Sequence, residues 1–293
     1  MLNSSYALGG AVIAIHSAVE YSPSPAYSRF AVNTRHGADF RITVERSGDF
    51  PEVPDLAVLV RGNTHVWHDG EMLVSVCKYA RESGKPMWPY AFCQMRGRRA
   101  RVCFSPDFSL AITERLIFEA ADVFRIMAAL GGIVIHGSLV LKPDGRAIVF
   151  SGPSGIGKST QAELWRKYRG ARVINGDRAL LVSDGGSVTA NGVFFAGTSG
   201  ICENASGPLE AIILLRQGKV NAISRAEGLR AFAELLKQCS YYPWDAENMS
   251  AATEVLSEIM TAVPAYELSC LPDASAAELL EKTLKEAENA KRC

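Results

Sequence analysis

Short runs that alternate apolar and polar residues fill the first third of the chain. From about residue 6 to residue 108 they read AVIAI, FRITVER, AVLVRG, HVWHDGEMLVSV and RVCFSPDF, with turn residues between them. A period of two is typical of strands that bury one face, so residues 1–110 are predicted to form a β-rich domain. Within it, His68-Asp69-Gly70 has the turn residues of a hairpin corner.

The spacing of apolar residues becomes helical after residue 110. Positions three or four apart carry Ile112, Leu116, Ala120, Val123, Met127 and Leu130, and Gly131-Gly132 follows them. This spacing predicts one amphipathic helix over residues 111–131, and the glycine pair is a typical helix end. The helix would connect the β-rich domain to residues 132–293.

Strand and helix patterns alternate through residues 132–293. The apolar runs IVIHGSLVL and RAIVFSG are separated only by Lys142-Pro143-Asp144-Gly145. That turn is too short for a crossover between parallel strands, so the two strands are predicted to be antiparallel neighbours. Further strands are predicted at 173–182, 188–195, 209–215 and 265–270, and helices from 160, at 227–238, at 247–261 and from a capping box, Ser275 to Glu278. This order predicts the α/β class with a mixed sheet.

Composition and charge limit the size of the core and the kind of partner. The chain has 293 residues, 48% of them apolar, which is enough for a large core. Its 31 basic and 31 acidic residues balance, so nucleic acid is not an expected partner. Apolar runs stay below the roughly 18 residues of a membrane span, and residues 7–15 follow MLNSS, which lacks the positive charge of a signal peptide. We therefore expect a cytoplasmic protein with no membrane partner.

The cysteines lack the spacing of a metal site or a redox pair. There are seven, at Cys77, Cys93, Cys103, Cys202, Cys239, Cys270 and Cys293. Unbridged and mostly buried thiols are predicted.

A glycine-rich run stands between a predicted strand and a predicted helix. It reads GPSGIGKST and fits the pattern GxxxxGK[ST] in the context that this motif requires. The glycines let backbone N–H groups turn toward a phosphate, the lysine reaches the outer phosphates, and the serine hydroxyl is a ligand for Mg²⁺. A site for a nucleoside triphosphate and Mg²⁺ is predicted at Gly152, Pro153, Ser154, Gly155, Ile156, Gly157, Lys158, Ser159 and Thr160.

The surroundings of this run differ from those of most P-loop ATPases and GTPases. Such proteins open on a βαβ unit and carry an apolar strand that ends in an acidic Walker-B residue. Here the preceding strand is paired with an antiparallel neighbour, and no strand with that acidic ending follows.

The stretch IHGSLVLKPDGRAIVFSGPSGIGKST resembles the catalytic domain of HPr kinase/phosphorylase, a family related to phosphoenolpyruvate carboxykinase. Together with INGDRALL and GTSGICENASGPLEAII, it is similar to the bacterial HPr-kinase-like proteins, whose substrates are mostly unassigned. The likeness covers about residues 118–280. It implies a mixed sheet with an HPr-kinase/PEP-carboxykinase-like P-loop core over residues 132–293. Residues 1–110 do not resemble the HPr kinase N-terminal domain, so HPr itself is not implied as the acceptor.

The resemblance also implies roles for individual residues. His136 stands where the family has an active-site histidine, Lys158 and Ser159 match the phosphate lysine and the metal hydroxyl, and Asp177 lies in the segment of the catalytic aspartates. The family has two adjacent aspartates there, whereas Gly176 precedes Asp177 in this chain, and this glycine is expected to hold a positive φ. Asp177 and Ser159 are therefore candidate metal ligands, with Glu203 as a further one.

Each of these features also has a structural interpretation. Asn175-Gly176 between apolar runs is typical of a hairpin turn, which would make Asp177 a turn residue. A strand histidine such as His136 packs in many cores, and segment 197–207 is either a loop near the site or a plain surface connection. An exposed hairpin is predicted, with a grip on an acidic acceptor as the alternative, for Arg96, Arg98, Arg99 and Arg101.

The combined motifs predict an ATP- and Mg²⁺-dependent phosphotransferase. It would move the γ-phosphate to a hydroxyl, with serine the leading candidate, on a peptide, a small protein or a metabolite. The β-rich domain would then help to select that acceptor. The alternative is a nucleotide-binding regulatory protein that has lost transfer together with the second aspartate. Because HPr kinases assemble through this domain, the resemblance also implies a homo-oligomer as a candidate state.

Overall fold

The computed structural model describes residues 2–33, 37–60, 62–80 and 87–292. Contacts divide the chain into two compact units, Met1–Leu130 and Gly131–Cys293. Within the described ranges, no helix combines the length and the apolar character that a membrane crossing requires. The two units are treated separately below.

The first unit is built on an eight-stranded sheet with the order β1-β2-β3-β8-β7-β6-β5-β4. Strand β3 is parallel to β2 and to β8, and the other pairs are antiparallel. The predicted hairpin corner is present, because Gly70 holds a φ of 58° between β5 and β6. The elements are β1 (Leu2–Leu8), β2 (Ala11–Ser17), α1 (Pro25–Ser28), β3 (Phe40–Arg46), β4 (Val58–Val60), β5 (Thr64–Asp69), β6 (Met72–Ala80), β7 (Met87–Arg96) and β8 (Arg99–Phe104).

The arginine cluster lies on the β7–β8 hairpin, as predicted. Arg96 pairs with Glu71, and Arg101 pairs with Glu45. Gly97 turns the hairpin with a φ of 54°. These pairs lie within the chain and occupy two of the four arginines. No acidic partner molecule is needed to explain those two charges.

The prediction of one helix over residues 111–131 is wrong. The segment forms two helices, α2 (Glu114–Ala120) and α3 (Val123–Ala129), and both belong to the first unit. Asp122 separates them with a φ of 54°, in the left-handed region. Aspartate reaches that region more readily than most residues. The apolar residues keep their helical spacing on both sides of this break in the backbone, so the spacing alone did not reveal it.

The second unit contains the other eight-stranded sheet, with the order β10-β9-β12-β13-β14-β16-β15. Strand β10 also pairs with β14, and β11 pairs with β9. The strands are β9 (Gly132–Leu141), β10 (Ala147–Ser151), β11 (Arg172–Asn175), β12 (Arg178–Asp184), β13 (Ser187–Asn191), β14 (Ser206–Gln217), β15 (Ala222–Arg225) and β16 (Ala265–Cys270). The helices are α4 (Lys158–Arg169), α5 (Gly228–Leu236), α6 (Ala246–Ala262) and α7 (Ala274–Arg292), with a 3-10 turn at Gly197–Ser199.

Helices cover both faces of this second sheet. Phe150 of β10 packs in one cluster with Trp165 of α4 and Leu280 of α7. Its neighbour Val149 points to the opposite face, where the second cluster includes residues of α5 and α6 such as Leu256. This alternation produces a strand that is apolar on both faces, which is why the sequence of β10 reads as a continuous apolar run.

Strands β9 and β10 are antiparallel neighbours, as the short turn between them predicted. Phe150 faces Ser138 in the register, and Ser151 faces Gly137. The last helix starts at Ala274 instead of at the predicted capping box. The Asp273 carboxylate accepts hydrogen bonds from the Ser275 and Ala276 N–H groups, so the aspartate caps this helix.

The described cysteines carry unbridged thiols. They are buried or half-buried, which agrees with the prediction from their spacing. Cys293 lies outside the described residues.

Candidate functional site

The glycine-rich run forms the connection from β10 to the start of α4. Gly152, Gly155 and Gly157 have φ values of 138°, 76° and 111°, in the region that side chains disfavour. A Cβ atom on Gly155 or Gly157 would meet nothing within 4 Å. The backbone conformation, and not a shortage of space, therefore requires glycine at these two positions.

Lys158 opens helix α4 and points back into this loop. Its side chain is 8% exposed, and its Nζ donates hydrogen bonds of 2.9 Å to the Gly152 and Pro153 carbonyls. Burial lowers the pKa of this lysine, and the Asp177 carboxylate opposes that shift. Ser159 and Thr160 follow in the first turn of α4 with exposed side chains.

His136 lies on β9, beside the point where the loop begins. Its neighbour Gly137 faces Ser151, the last residue of β10, and the Ser151 hydroxyl donates to the His136 carbonyl over 2.8 Å. On the other side, His136 is paired across the strands with Arg178 of β12. Directly paired residues share one face of a sheet, so these two side chains are neighbours.

Asp177 lies at a corner between β11 and β12. Both strands pair with β9, at different places along it, and Asn175-Gly176 is not the turn of a hairpin between them. The hairpin interpretation of this dipeptide is therefore wrong. The Gly137 N–H donates to the Asp177 carbonyl over 2.9 Å, which fastens the corner to β9.

The side chain of Asn175 builds this corner from inside. It is fully buried, and its Oδ1 accepts hydrogen bonds of 2.9 Å from the N–H groups of Asp177 and Arg178. Its Nδ2 donates over 2.8 Å to the carbonyls of Val193 and Phe195. One amide thus holds the backbone of Asp177 in place, and the apolar sequence around it gave no sign of this role.

Replacing Asn175 with alanine is expected to destabilise the second unit. Each buried polar group left without a partner costs about 1–3 kcal/mol, and this change removes four hydrogen bonds. Urea denaturation of Asn175→Ala measures the loss. The exposed Asn204→Ala is the matched control, and equal unfolding midpoints for the two variants would contradict the role of the buried amide.

Three charged or titratable side chains surround the Asp177 carboxylate. Its Oδ1 lies 3.6 Å from Nδ1 of His136, and its Oδ2 lies 3.3 Å from Nε of Arg178. The Lys158 ammonium is close enough to lower the pKa of His136, and the Asp177 carboxylate is close enough to raise the pKa of Lys158. The structure thus brings together the three residues that the sequence predicted, His136, Lys158 and Asp177, and adds Arg178, whose only signal was its place directly after the aspartate.

The environment of His136 favours the neutral imidazole. Burial is the largest cause that lowers its pKa from the usual 6.5, and the Lys158 ammonium lowers it further, while the Asp177 carboxylate acts in the opposite direction. Within the described ranges, the buried Nδ1 atom has no hydrogen-bond partner. This nitrogen therefore faces the Asp177 carboxylate across 3.6 Å without a hydrogen bond to it.

Glu203 has a different neighbour. Its Oε2 lies 2.6 Å from Nη2 of Arg172, at the start of β11, whereas Asp177 follows the end of that strand. The described residues contain no group of three or more His, Cys, Asp or Glu side chains suited to a metal ion. Mg²⁺ needs only one or two protein oxygens when phosphates and water complete its shell, and the metal roles of Ser159 and Asp177 stay predictions. The metal role of Glu203 stays a prediction.

The 3-10 turn at Gly197–Ser199 lies against the Asp177 corner. A Cβ atom on Gly197 would come within 2.6 Å of the Asp177 Cβ. A Cβ atom on Gly176 would come within 2.3 Å of the Ser199 Oγ. Gly176 does not have the predicted positive φ, so the space taken by Ser199, and not backbone strain, excludes a side chain there. Segment 197–207 therefore begins as a loop against this corner, and its last two residues already belong to β14.

The family-model match falls mostly within the second unit. The family model described as "SynChlorMet cassette protein ScmC" matches residues 110–285. Among solved structures, the Hpr(Ser) kinase/phosphatase from Coxiella burnetii is similar with a TM-score of 0.30 and 12% identity, over 54% of this chain and 92% of that chain. A search of the curated proteins found no match.

Proposed function

The chain belongs to the family of the SynChlorMet cassette protein ScmC, and we propose that its second unit transfers the γ-phosphate of ATP to a hydroxyl group. The observation that carries this proposal is the arrangement of Lys158, His136 and Asp177 beside a glycine-rich loop that opens a helix. Phosphoryl transfer requires mainly positioning and charge, and these side chains supply both.

The loop and Lys158 would bind the nucleotide. Backbone N–H groups at the start of α4 attract an anion, because the helix dipole and the unpaired amides both favour negative charge. The ammonium of Lys158 now donates to two loop carbonyls, and it would exchange these for phosphate oxygens. Ser159 and Asp177 would hold Mg²⁺, which, when bound, neutralises developing charge on the phosphates.

Asp177 would orient the acceptor and take its proton. An attacking hydroxyl loses its proton to a general base, and a carboxylate that a neighbouring cation holds in place serves as one. Arg178 contacts Asp177 Oδ2, and its Nη1 donates to the Ser240 hydroxyl over 3.0 Å. We propose that this contact fixes the carboxylate from one side, while the neutral imidazole of His136, whose Nδ1 lies 3.6 Å from Oδ1, orients it from the other.

The acceptor would be a peptide, a small protein or a metabolite, selected with help from the β-rich first unit. The test uses γ-labelled ATP, Mg²⁺ and a lysate of the source organism. A labelled acceptor that appears with the wild-type chain, and not with Asp177→Asn, supports transfer. ATP binding without any labelled product would favour the second candidate, a regulatory nucleotide-binding protein, which the single aspartate beside Gly176 suggests.

His136 provides a prediction about pH. Because burial and Lys158 lower its pKa, the imidazole is neutral at pH 7 and gains a proton only as the pH falls below its usual 6.5. The transfer rate is expected to fall in that acidic range, and His136→Gln is expected to be slower at pH 7 and to lose this part of the pH profile. Initial rates from pH 5 to pH 8 test this.

The same titration affects stability. The unfolded chain binds the proton first, at about pH 6.5, so the wild-type chain loses stability as the pH falls from there through the lowered folded value. His136→Gln should retain its melting temperature at pH 7 and show less of this acid loss. A large loss of stability at pH 7 with normal specific activity would mean that His136 is a packing residue.

A further inference from the structure

The loop at Gly197–Ser199 packs against Asp177 and against its neighbour Gly176. Gly197 packs directly on Asp177, and a methyl group on this glycine would lie 3.0 Å from Asp177 Oδ1. Ser199 follows two residues later with an exposed side chain, and its Oγ lies over Gly176. A serine hydroxyl of the chain itself therefore lies over the glycine that directly precedes the residue proposed to take the acceptor proton.

Gly176 and Ser199 fit each other. Where the resembled family has an aspartate, this chain has a glycine, and any Cβ atom there would meet the Ser199 Oγ at 2.3 Å and its Cβ at 2.8 Å. The missing aspartate thus leaves the space that the serine side chain fills. The glycine at position 176 therefore does more than remove one carboxylate, because it also makes room for the Ser199 side chain.

We propose that Ser199 is an internal acceptor, so that the chain phosphorylates itself at this hydroxyl. The inference rests on the proposed function. The Ser199 Oγ forms a bond to the γ-phosphorus of ATP, the bond between that phosphorus and the bridging β,γ-oxygen breaks, and ADP leaves. The hydroxyl proton passes to the Asp177 carboxylate. The products are phosphoserine and ADP, and the step needs no co-reactant besides ATP and Mg²⁺.

The hydrogen bonds of the Ser199 side chain are of a kind that a moving turn can exchange. The Ser199 hydroxyl donates to the Ala196 carbonyl over 2.9 Å and accepts from the Ile201 N–H over 3.2 Å, both at the exposed surface. Exchanging exposed hydrogen bonds costs little, because water replaces them. Gly197 begins the turn and Gly200 follows it, and both hold positive φ values, 53° and 67°, that glycine reaches without strain.

The experiment uses the purified full chain with γ-labelled ATP and Mg²⁺ and no other acceptor. Trypsin releases residues 179–216 as one peptide, because no lysine or arginine lies between Arg178 and Arg216. Mass spectrometry of this peptide is expected to place the phosphate on Ser199. Ser199→Ala should lose the label, and Thr198→Ala, which changes the adjacent hydroxyl of the same turn, should retain it. The initial rate per molecule should not depend on protein concentration.

The outcomes separate this inference from the proposed function. Label at another residue, label that persists in Ser199→Ala, or a rate per molecule that rises with concentration would overturn the internal step and leave phosphotransfer standing. An unlabelled chain that still labels a lysate acceptor would do the same. An unlabelled chain with no acceptor product and no ATP binding that depends on Lys158 would overturn both.

Discussion

Asp177→Asn is expected to slow phosphotransfer by about 10²- to 10⁴-fold, the usual contribution of a positioned general base. Asparagine keeps the shape of the side chain and still fits against Gly197. The backbone N–H of residue 177 keeps its hydrogen bond to Asn175, so the corner between β11 and β12 should survive. The charge is lost, and with it the ability to accept a proton and to hold Mg²⁺ tightly.

The measurement is single-turnover transfer from γ-labelled ATP, with ATP affinity measured in parallel by calorimetry. Asp184→Asn, at the exposed far end of β12, is the matched control because it removes the same charge away from the site. A second readout does not depend on the acceptor: since Asp177 raises the pKa of His136, its neutralisation should lower that pKa further in an NMR titration. Wild-type transfer rates in Asp177→Asn would assign the base to another residue.

Local sequence signals predicted the parts of the site that depend on short segments. The four-residue turn Lys142–Gly145 was enough to make β9 and β10 antiparallel, and this pairing brings His136 beside the start of the loop. The spacing of the glycines and Lys158 placed the loop at a helix start. These features are encoded within about ten neighbouring residues, where periodicity and turn chemistry are informative.

Pairings between strands that are distant in sequence were harder to predict from the sequence. Asn175-Gly176 has the sequence of a hairpin turn, yet β11 and β12 both pair with β9, which lies more than thirty residues earlier in the chain. Asp122 interrupts a helix whose apolar spacing continues past it. Packing partners that are distant in sequence decide such cases, and a single sequence does not contain them in its local pattern.

Contacts between side chains of separate segments were the least predictable. The fit of Ser199 over Gly176 joins two loops that are far apart in sequence. The pair of Arg178 with Ser240 likewise requires the chain after α5 to return to β9, where the Ser240 N–H donates to the Val134 carbonyl. The sequence therefore indicated candidate site residues, but not the contacts that hold them in place.

Lys158→Ala is expected to abolish transfer and to weaken ATP binding by about 2–4 kcal/mol, in the range for removing one partner of a buried, hydrogen-bonded charge pair. Loop amides alone do not replace a compact positive charge at the outer phosphates. The fold should tolerate the change, because the two carbonyls that accept from Lys158 belong to a loop with exposed residues around it.

Calorimetry with ATP and Mg²⁺ measures the affinity, and Lys167→Ala, an exposed lysine of the same helix, is the matched control. An independent readout again comes from His136. The Lys158 ammonium lowers the pKa of that imidazole, so Lys158→Ala should raise it, whether or not a nucleotide is present. A raised His136 pKa together with unchanged ATP affinity would confirm that Lys158 acts on His136. It would also contradict the proposal that Lys158 binds the nucleotide. Weakened affinity in Lys158→Ala, and not in Lys167→Ala, would place the phosphates at the loop, because only the buried ammonium reaches its interior.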